Sequence, residues 1–179
     1  MHTSRHTPPV ECLAIPDEAS VFGMAGDVQL ADAFAVALPA GAVHDPTVLA
    51  RWMFEHPPGW ISQLLAVRNA LVMPFGLKTS TELRRAPAQE RVAMFKIHFV
   101  DSQEILMGQD DSHLDFRVSV LVQAGEAGAC VVVSTVVHCH NRLGRFYIAV
   151  VAPFHRVIVK SLLRRAAKNG WPQTRLAAA

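Results

Sequence analysis

Apolar and polar residues alternate along the chain between residues 92 and 140. In FKIHFV this alternation places Phe95, Ile97 and Phe99 on one side of an extended strand. Polar or glycine-containing segments interrupt the alternation, as turns do. The pattern predicts an antiparallel meander with one buried face. The other apolar residues of that face are Ile105, Met107, Leu114, Phe116, Val118, Val120 and Val122.

The last strand of this meander is predicted over VVVSTVVHC, residues 131–139. Counting by two places Cys139 with Val137 on the buried face, and His138 and His140 on the opposite face. We therefore predict that Cys139 is buried and that the two histidines beside it lie at the surface.

Helical patterns occur before and after the meander. DAFAVAL at 32–38 predicts a first strand, and Asp45 followed by Pro46 predicts the start of a helix that continues to Glu55. A long C-terminal helix, apolar over most of its circumference, is predicted over residues 143–168. Between these two helices a further helix is indicated by the spacing of Ile61, Leu64, Leu65, Arg68, Leu71 and Val72.

This order of elements predicts an α+β fold of the helix-grip type. In that fold a curved antiparallel sheet wraps around a long C-terminal helix, and here two helices follow the first strand. Residues 1–28 are predicted to form an N-terminal arm, residues 29–170 the domain and residues 171–179 a flexible tail. Pro153 is expected to bend the long helix and leave space between it and the sheet.

Three blocks carry a resemblance to a known family: LAVRNALVMPFGLKT at 65–79, EILMGQDDSHLDFRVSV at 104–120 and HNRLGRFYIAVVAPFHRVIVKSLLRRA at 140–166. They resemble a bacterial family catalogued as domain of unknown function 2867, within the birch-pollen-allergen-like and START-like superfamily, also called SRPBCC. The resemblance implies a helix-grip fold and a cavity but no assigned reaction. Some relatives look like C-terminal extensions of nicotinamide-binding reductases, so a reductase is a candidate partner. No GxGxxG motif follows a strand in this chain.

Composition narrows the class of protein. Hydrophobic residues make up 51% of the chain and charged residues 18%, which is typical of a globular domain. The 17 basic and 15 acidic residues nearly cancel, so a nucleic-acid partner is not expected. Three cysteines without CxxC spacing are typical of reduced thiols, and the N-terminus has no apolar signal-peptide core. We therefore expect a cytoplasmic protein with neither disulfides nor a transmembrane segment.

The leading functional hypothesis is the binding of a small apolar molecule or lipid between the sheet and the long helix, without a cofactor. Arg68 shares the apolar side of the second helix, where a charged group needs a partner. We expect it to pair with a carboxylate of the sheet or to anchor the polar end of the ligand. The residues predicted to line the site are Arg68, Phe95, Ile97, Phe99, Phe116, Val118, Val137, Tyr147, Val150 and Phe154.

An enzyme of the cyclase, hydrolase or dehydratase type is the alternative. Asp110, Asp111 and His113 bring two carboxylates and an imidazole to one turn, where Arg68 could assist general acid–base chemistry. These residue types are also ordinary in turns. No Ser-His-Asp order, Walker loop or HExxH motif accompanies them.

His138 and His140 are the candidate metal ligands, because two histidines on one strand face can reach the same ion. Further ligands would have to come from neighbouring strands at the same height, from among His98, Glu104, His113 and Asp115. Surface histidines on a half-buried sheet are the simpler interpretation, so no metal is predicted.

A third hypothesis is docking to a membrane surface or a protein partner through the long helix. Arg156, Lys160 and Arg164 recur every four residues and form a basic stripe on it. A homodimer is compatible with the sequence. The sequence does not identify the ligand, the reaction or the pathway.

Overall fold

Seven antiparallel strands form one sheet in the computed structural model, which describes residues 8–22, 28–72, 87–125 and 128–174. The order across the sheet is β1-β2-β7-β6-β5-β4-β3. The strands are β1 Glu11–Leu13, β2 Val28–Ala37, β3 Arg91–Val92, β4 Phe95–Val100, β5 Glu104–Asp110, β6 Leu114–Gly125 and β7 Gly128–Cys139. Within the same ranges the α-helices are α1 Pro46–Phe54, α2 Gly59–Val72 and α3 Arg142–Asn169, and a short 3-10 helix covers Ala88–Glu90.

The predicted α+β class and the order of elements are confirmed. Two helices follow the first long strand, and one long helix ends the domain. Local capping explains the helix starts: the Asp45 side chain accepts hydrogen bonds from Thr47 N and Val48 N, at 2.8 and 3.1 Å. Asn141 caps α3 in the same way by accepting a hydrogen bond from Gly144 N at 3.0 Å.

The inner face of the sheet carries the main core. The alternation predicted for β5, β6 and β7 places Ile105, Val120 and Val133 in one buried cluster. Residues of α1 and α3, including Leu49 and Leu163, pack against this cluster. Cys139 is also buried on this side, whereas His138 is half-buried and His140 exposed, as predicted.

The predicted alternation is wrong at one point in β4. Ile97 pairs with Met107, but Phe99 pairs with Leu106, so His98 is an extra residue and the strand has a β-bulge there. The bulge turns Phe99 to the outer face, where 44% of the residue is exposed. Phe99 therefore does not share the inner face with Phe95 and Ile97.

Part of the outer face of the sheet is covered by residues that the sequence placed in the N-terminal arm. Ala19 and Val21 are buried against Leu121 and neighbouring side chains of β2, β6 and β7. Glu104, expected on the solvent side, is buried there. Its carboxylate accepts hydrogen bonds from Ser20 N at 3.0 Å, from Ser20 Oγ at 2.6 Å and from Ser119 Oγ. This carboxylate attaches the N-terminal segment to the sheet.

The start of the predicted C-terminal tail is also attached to the domain. Trp171 is buried in the main core. Val43 N donates a hydrogen bond to Pro172 O at 2.8 Å, and Thr174 N donates one to Gly41 O at 2.9 Å. These contacts place residues 171–174 beside the segment that leads into α1.

Candidate functional site

The outer side of α3 carries a row of large apolar side chains. Phe146, Val150, Phe154 and Val157 are 69%, 51%, 52% and 59% exposed. They follow one another at intervals of three or four residues and so lie on one side of the helix. We call these four residues the outer stripe.

The predicted lining residues Val150 and Phe154 belong to this stripe, so they do not face the sheet. The buried side of α3 lies about half a turn away. It consists of Gly144, Ile148, Val159, Leu162, Leu163 and Ala166. Because α3 is apolar over most of its circumference, its sequence does not reveal which side the core takes. Ile148 and Leu163 fill the positions facing the sheet, and the outer stripe is left at the surface.

The charges on α3 all have one sign. The helix contains seven Arg and Lys residues and no Asp or Glu. Arg156 Nε lies 3.5 Å from a carboxylate oxygen of Asp32 on β2, whereas Arg142, Arg164 and Lys168 are exposed. Lys160 is directed at the sheet, with its Nζ 5.1 Å from the centre of the buried Phe34 ring. The exposed positive charge near the outer stripe therefore includes Arg142, Arg164 and Lys168. The seven residues are Arg142, Arg145, Arg156, Lys160, Arg164, Arg165 and Lys168.

By length and composition, α3 is also apolar enough to cross a membrane, and 22% of its most apolar 18-residue window is buried. No membrane-spanning segment was expected from the sequence, because only uninterrupted runs of apolar residues were counted as evidence for one. The inner side of α3 nevertheless packs on the sheet through Val159 and Leu163. A helix that crossed a bilayer would have to leave this core.

Several predicted lining residues are packed against one another on the inner face. The Phe95 ring lies edge-on to Phe54 of α1 at 5.8 Å and to Phe116 at 5.5 Å between centroids. Val118 and Val137 are buried, and Ile97 packs against the same core. These side chains contact the hydrophobic core from the inner face of the sheet, as the alternation predicts.

Arg68 is half-buried and lies against α3. Its Nε donates a hydrogen bond to the Tyr147 hydroxyl at 2.9 Å, and its Nη1 donates one to Asn69 Oδ1 at 3.1 Å. The guanidinium carbon is 5.6 Å from the centre of the Tyr147 ring, within the range of a cation–π contact. The partners identified here are Tyr147 and Asn69, both on helices, and the expected pairing with a sheet carboxylate stays a prediction. Arg68 thus connects α2 to α3.

Asp32 is a buried acidic residue in contact with α3, and it was not among the predicted site residues. Asp32 lies on the inner face of β2, with Oδ1 3.3 Å from His155 Nε2. Its register partner on β7 is Thr135. Among the described residues, Thr135 Oγ1 is buried without a hydrogen-bond partner, whereas Asp32 Oδ2 forms the ion pair with Arg156 Nε at 3.5 Å. The signal in the sequence was a lone charged residue inside the otherwise uncharged strand VQLADAFAVA.

The predicted catalytic turn has structural contacts. Asp110 forms an ion pair with Arg117 at 2.5 Å, and Ser112 Oγ donates a hydrogen bond to Asp111 Oδ1 at 3.1 Å. His113 Nδ1 lies 2.9 Å from Asn141 Nδ2, so the turn is joined to the cap of α3. The turn brings Asp110, Asp111 and His113 near one another, but these contacts hold strands and helix together.

The candidate metal ligands do not form a metal site in the part of the chain that the structure describes. His138 and His140 have ring centroids 5.2 Å apart, and His140 Nε2 is 3.1 Å from Asp115 Oδ2. No group of three or more His, Cys, Asp or Glu side chains there could hold an ion. His98 is another of the candidate ligands. Burial lowers the pKa of its imidazole, and the charge of Arg117 lowers this pKa further.

Comparison with protein families gives a match over most of the chain. A family model described as a protein of unknown function, DUF2867, matches residues 24–162. The chain belongs to the DUF2867 family. Searches of curated proteins and of solved structures each found no match.

The DUF2867 match includes the whole outer stripe, Asp32 and Arg68. It ends at residue 162, before the basic C-terminal turns of α3 that hold Arg164, Arg165 and Lys168. The family description assigns no reaction or ligand, so a function for this DUF2867 protein has to be argued from its surface and its contacts.

Proposed function

We propose that this DUF2867 protein docks on the surface of anionic membranes through the outer side of α3. The observation that carries the proposal is the outer stripe, four large apolar side chains exposed on a helix that has seven cationic residues and no acidic ones. Helices that lie in a membrane interface combine these two features. Their apolar side enters the acyl boundary, and their Lys and Arg residues approach anionic headgroups.

Charge favours a membrane over a second copy of the same chain. Two copies joined through this side of α3 would bring like charges together, because the helix has no carboxylate and its Arg142, Arg164 and Lys168 are exposed. An anionic lipid surface supplies the opposite charge at every position. A cytoplasmic location, as expected from the reduced cysteines, would present α3 to the anionic inner leaflet.

The finer fold assignment is a proposal as well. We propose that the domain is a helix-grip fold of the START-like, SRPBCC type. Supporting features are the two helices after the first long strand, the pairing of that strand with the last strand and the long helix at the end. Binding of a small apolar ligand beneath α3 stays a prediction, and its supporting observation is Thr135 Oγ1, which is buried without a hydrogen-bond partner among the described residues.

The docking proposal is tested with the substitution Phe154→Ser and sedimentation with vesicles. Half of Phe154 is exposed, so its burial in the interface contributes about 1 kcal/mol, or about fivefold in partition. We expect wild-type protein to bind vesicles of phosphatidylcholine with phosphatidylglycerol more strongly than vesicles of phosphatidylcholine alone. Phe154→Ser should lower binding about fivefold, and added salt should lower it for both proteins.

Phe99→Ser is the matched control, because Phe99 has a similar exposure and lies on the outer face of the sheet, away from α3. It should bind anionic vesicles like the wild type. Equal losses in the two variants would contradict docking through α3. Strong binding to phosphatidylcholine vesicles that salt does not change would contradict the role of charge.

A further inference from the structure

A cleft lies between α1 and the C-terminal part of α3. It has a volume of about 230 Å³. Among the described residues that line it, four side chains carry N–H groups that can donate hydrogen bonds, and none carries a carboxylate. Its apolar wall consists of Met53, Leu162 and Ala166, and the donors are Trp52, His56, Arg165 and Asn169. A site with donors, one guanidinium and an apolar wall suits an anion that is attached to an apolar group.

The cleft lies further along α3 than the outer stripe, toward the C-terminus of the helix. Val157 is the last residue of the stripe, and Arg165 of the cleft follows it after eight residues, or about two turns. Trp52 is exposed on α1 at the other side of the cleft. When the outer stripe rests on a membrane, the opening of the cleft therefore lies near the lipid headgroups.

Trp52 stands between this cleft and a second depression of about 340 Å³. The charged residues of that depression, Arg51 and Glu55, form an ion pair at 2.7 Å, so they neutralise each other. The excess positive charge near Trp52 thus belongs to the side that holds Arg165. Tryptophan is enriched at the level of lipid headgroups, where its ring meets the apolar phase and its N–H meets water.

We propose that this cleft binds the phosphodiester headgroup of an anionic phospholipid. Arg165 contacts the phosphate oxygens, and Trp52 lies beside the glycerol and the first acyl carbons. The proposal rests on the docking of α3 on membranes and names the lipid group recognised at that surface. A phospholipid suits the cleft better than a free anion because its walls include three apolar residues.

The test uses a soluble short-chain lipid, so that membrane docking is not needed. Dihexanoyl phosphatidylglycerol, kept below its micelle concentration, is titrated into the full-length protein while the indole N–H signals are followed by NMR. We expect a saturable shift of the Trp52 signal, which Trp52→Phe identifies by its loss. Arg165→Gln should weaken binding about tenfold, because a hydrogen-bonded charge is removed.

Arg164→Gln is the matched control. Arg164 is the residue before Arg165 on α3; it is exposed and is not among the residues that line the cleft. It should bind the soluble lipid within about twofold of the wild type, because a charge outside the cleft contributes little at short range. Circular dichroism shows whether each variant is folded. Equal weakening by both substitutions would overturn the specific role of Arg165, as would the absence of a saturable shift.

Two further ligands test whether the cleft recognises an anionic phospholipid or a free anion. Dihexanoyl phosphatidylcholine should bind more weakly than the phosphatidylglycerol, and inorganic phosphate should bind more weakly still. Inorganic phosphate binding as tightly as the lipid would overturn the lipid assignment. Vesicle binding that depends on Phe154 but equally on Arg164 and Arg165 would leave docking intact and overturn the cleft. A saturable site in a protein that ignores vesicles would overturn the membrane proposal instead.

Discussion

At the scale of single residues, the exposure of the three cysteines depends on the register of the strands that carry them. Cys139 is buried on the inner face of β7, Cys130 is partly buried near the other end of that strand, and Cys12 is exposed on β1. Burial raises the pKa of the Cys130 thiol, and the negative charge of Glu11 raises it further. Fewer thiolates form at a raised pKa, and the thiolate is the reactive species.

The expected order of reaction with a disulfide reagent is Cys12 fastest, Cys130 slower and Cys139 slowest. It is measured on variants that keep one cysteine each, with the other two replaced by Ala. In denaturant the three rates should converge, because burial is lost. Native Cys139 reacting as fast as Cys12 would mean that β7 is shifted by one residue.

At the scale of elements, the start of α3 depends on close contact with the turn between β5 and β6. Gly144 lies so near this turn that a Cβ atom there would overlap the carbonyl oxygen of His113. Asn141 adds a second connection, since its Nδ2 donates a hydrogen bond to Ser112 O at 3.3 Å. The helix therefore begins where a side-chain cap and a glycine meet the turn.

Gly144→Ala should lower the free energy of unfolding by about 1–3 kcal/mol, because the helix start or the turn must shift to admit the methyl group. Urea denaturation measures the change. Gly59→Ala is the control: Gly59 begins α2 and has open space around its Cα. That substitution should stabilise the protein slightly, since alanine loses less backbone entropy. A neutral Gly144→Ala would contradict the close contact.

At the scale of the whole molecule, charge is distributed unevenly. The chain has a formal net charge of only +2, yet α3 alone holds seven of its 17 basic residues and no acidic ones. The balancing carboxylates lie elsewhere along the chain. A near-neutral protein thus presents one strongly positive and partly apolar surface, which supports docking on an anionic surface and opposes self-association through α3.

We expect a monomer in a native mass spectrum recorded without detergent at neutral pH, because like charges on α3 oppose pairing through the outer stripe. Added mass that persists in Arg165→Gln would instead favour a ligand beneath α3, because a lipid in the cleft should be weakened in that variant. A dimer that Phe154→Ser converts to a monomer would show that a second copy covers the outer stripe, and would contradict the membrane proposal. A dimer unaffected by Phe154→Ser would place the interface elsewhere.

Much of the fold could be predicted from the sequence because its signals are local. The capping pair Asp45 and Pro46, the two-residue alternation through β5 to β7 and the burial of Cys139 depend on residues a few positions apart. The outer face of the sheet could not be predicted in the same way. Glu104 is buried only because Ser20 and its neighbours reach the sheet from far along the chain.

The sequence by itself thus determined the type and order of the elements and the inner face of the meander. The tertiary structure decided the bulge that turns Phe99 outward, the partner of Arg68 and the side of α3 that meets the sheet. The physical reason is that α3 is apolar on nearly every side. Only packing against β2 and α1 selects which apolar residues become core and which remain as the outer stripe.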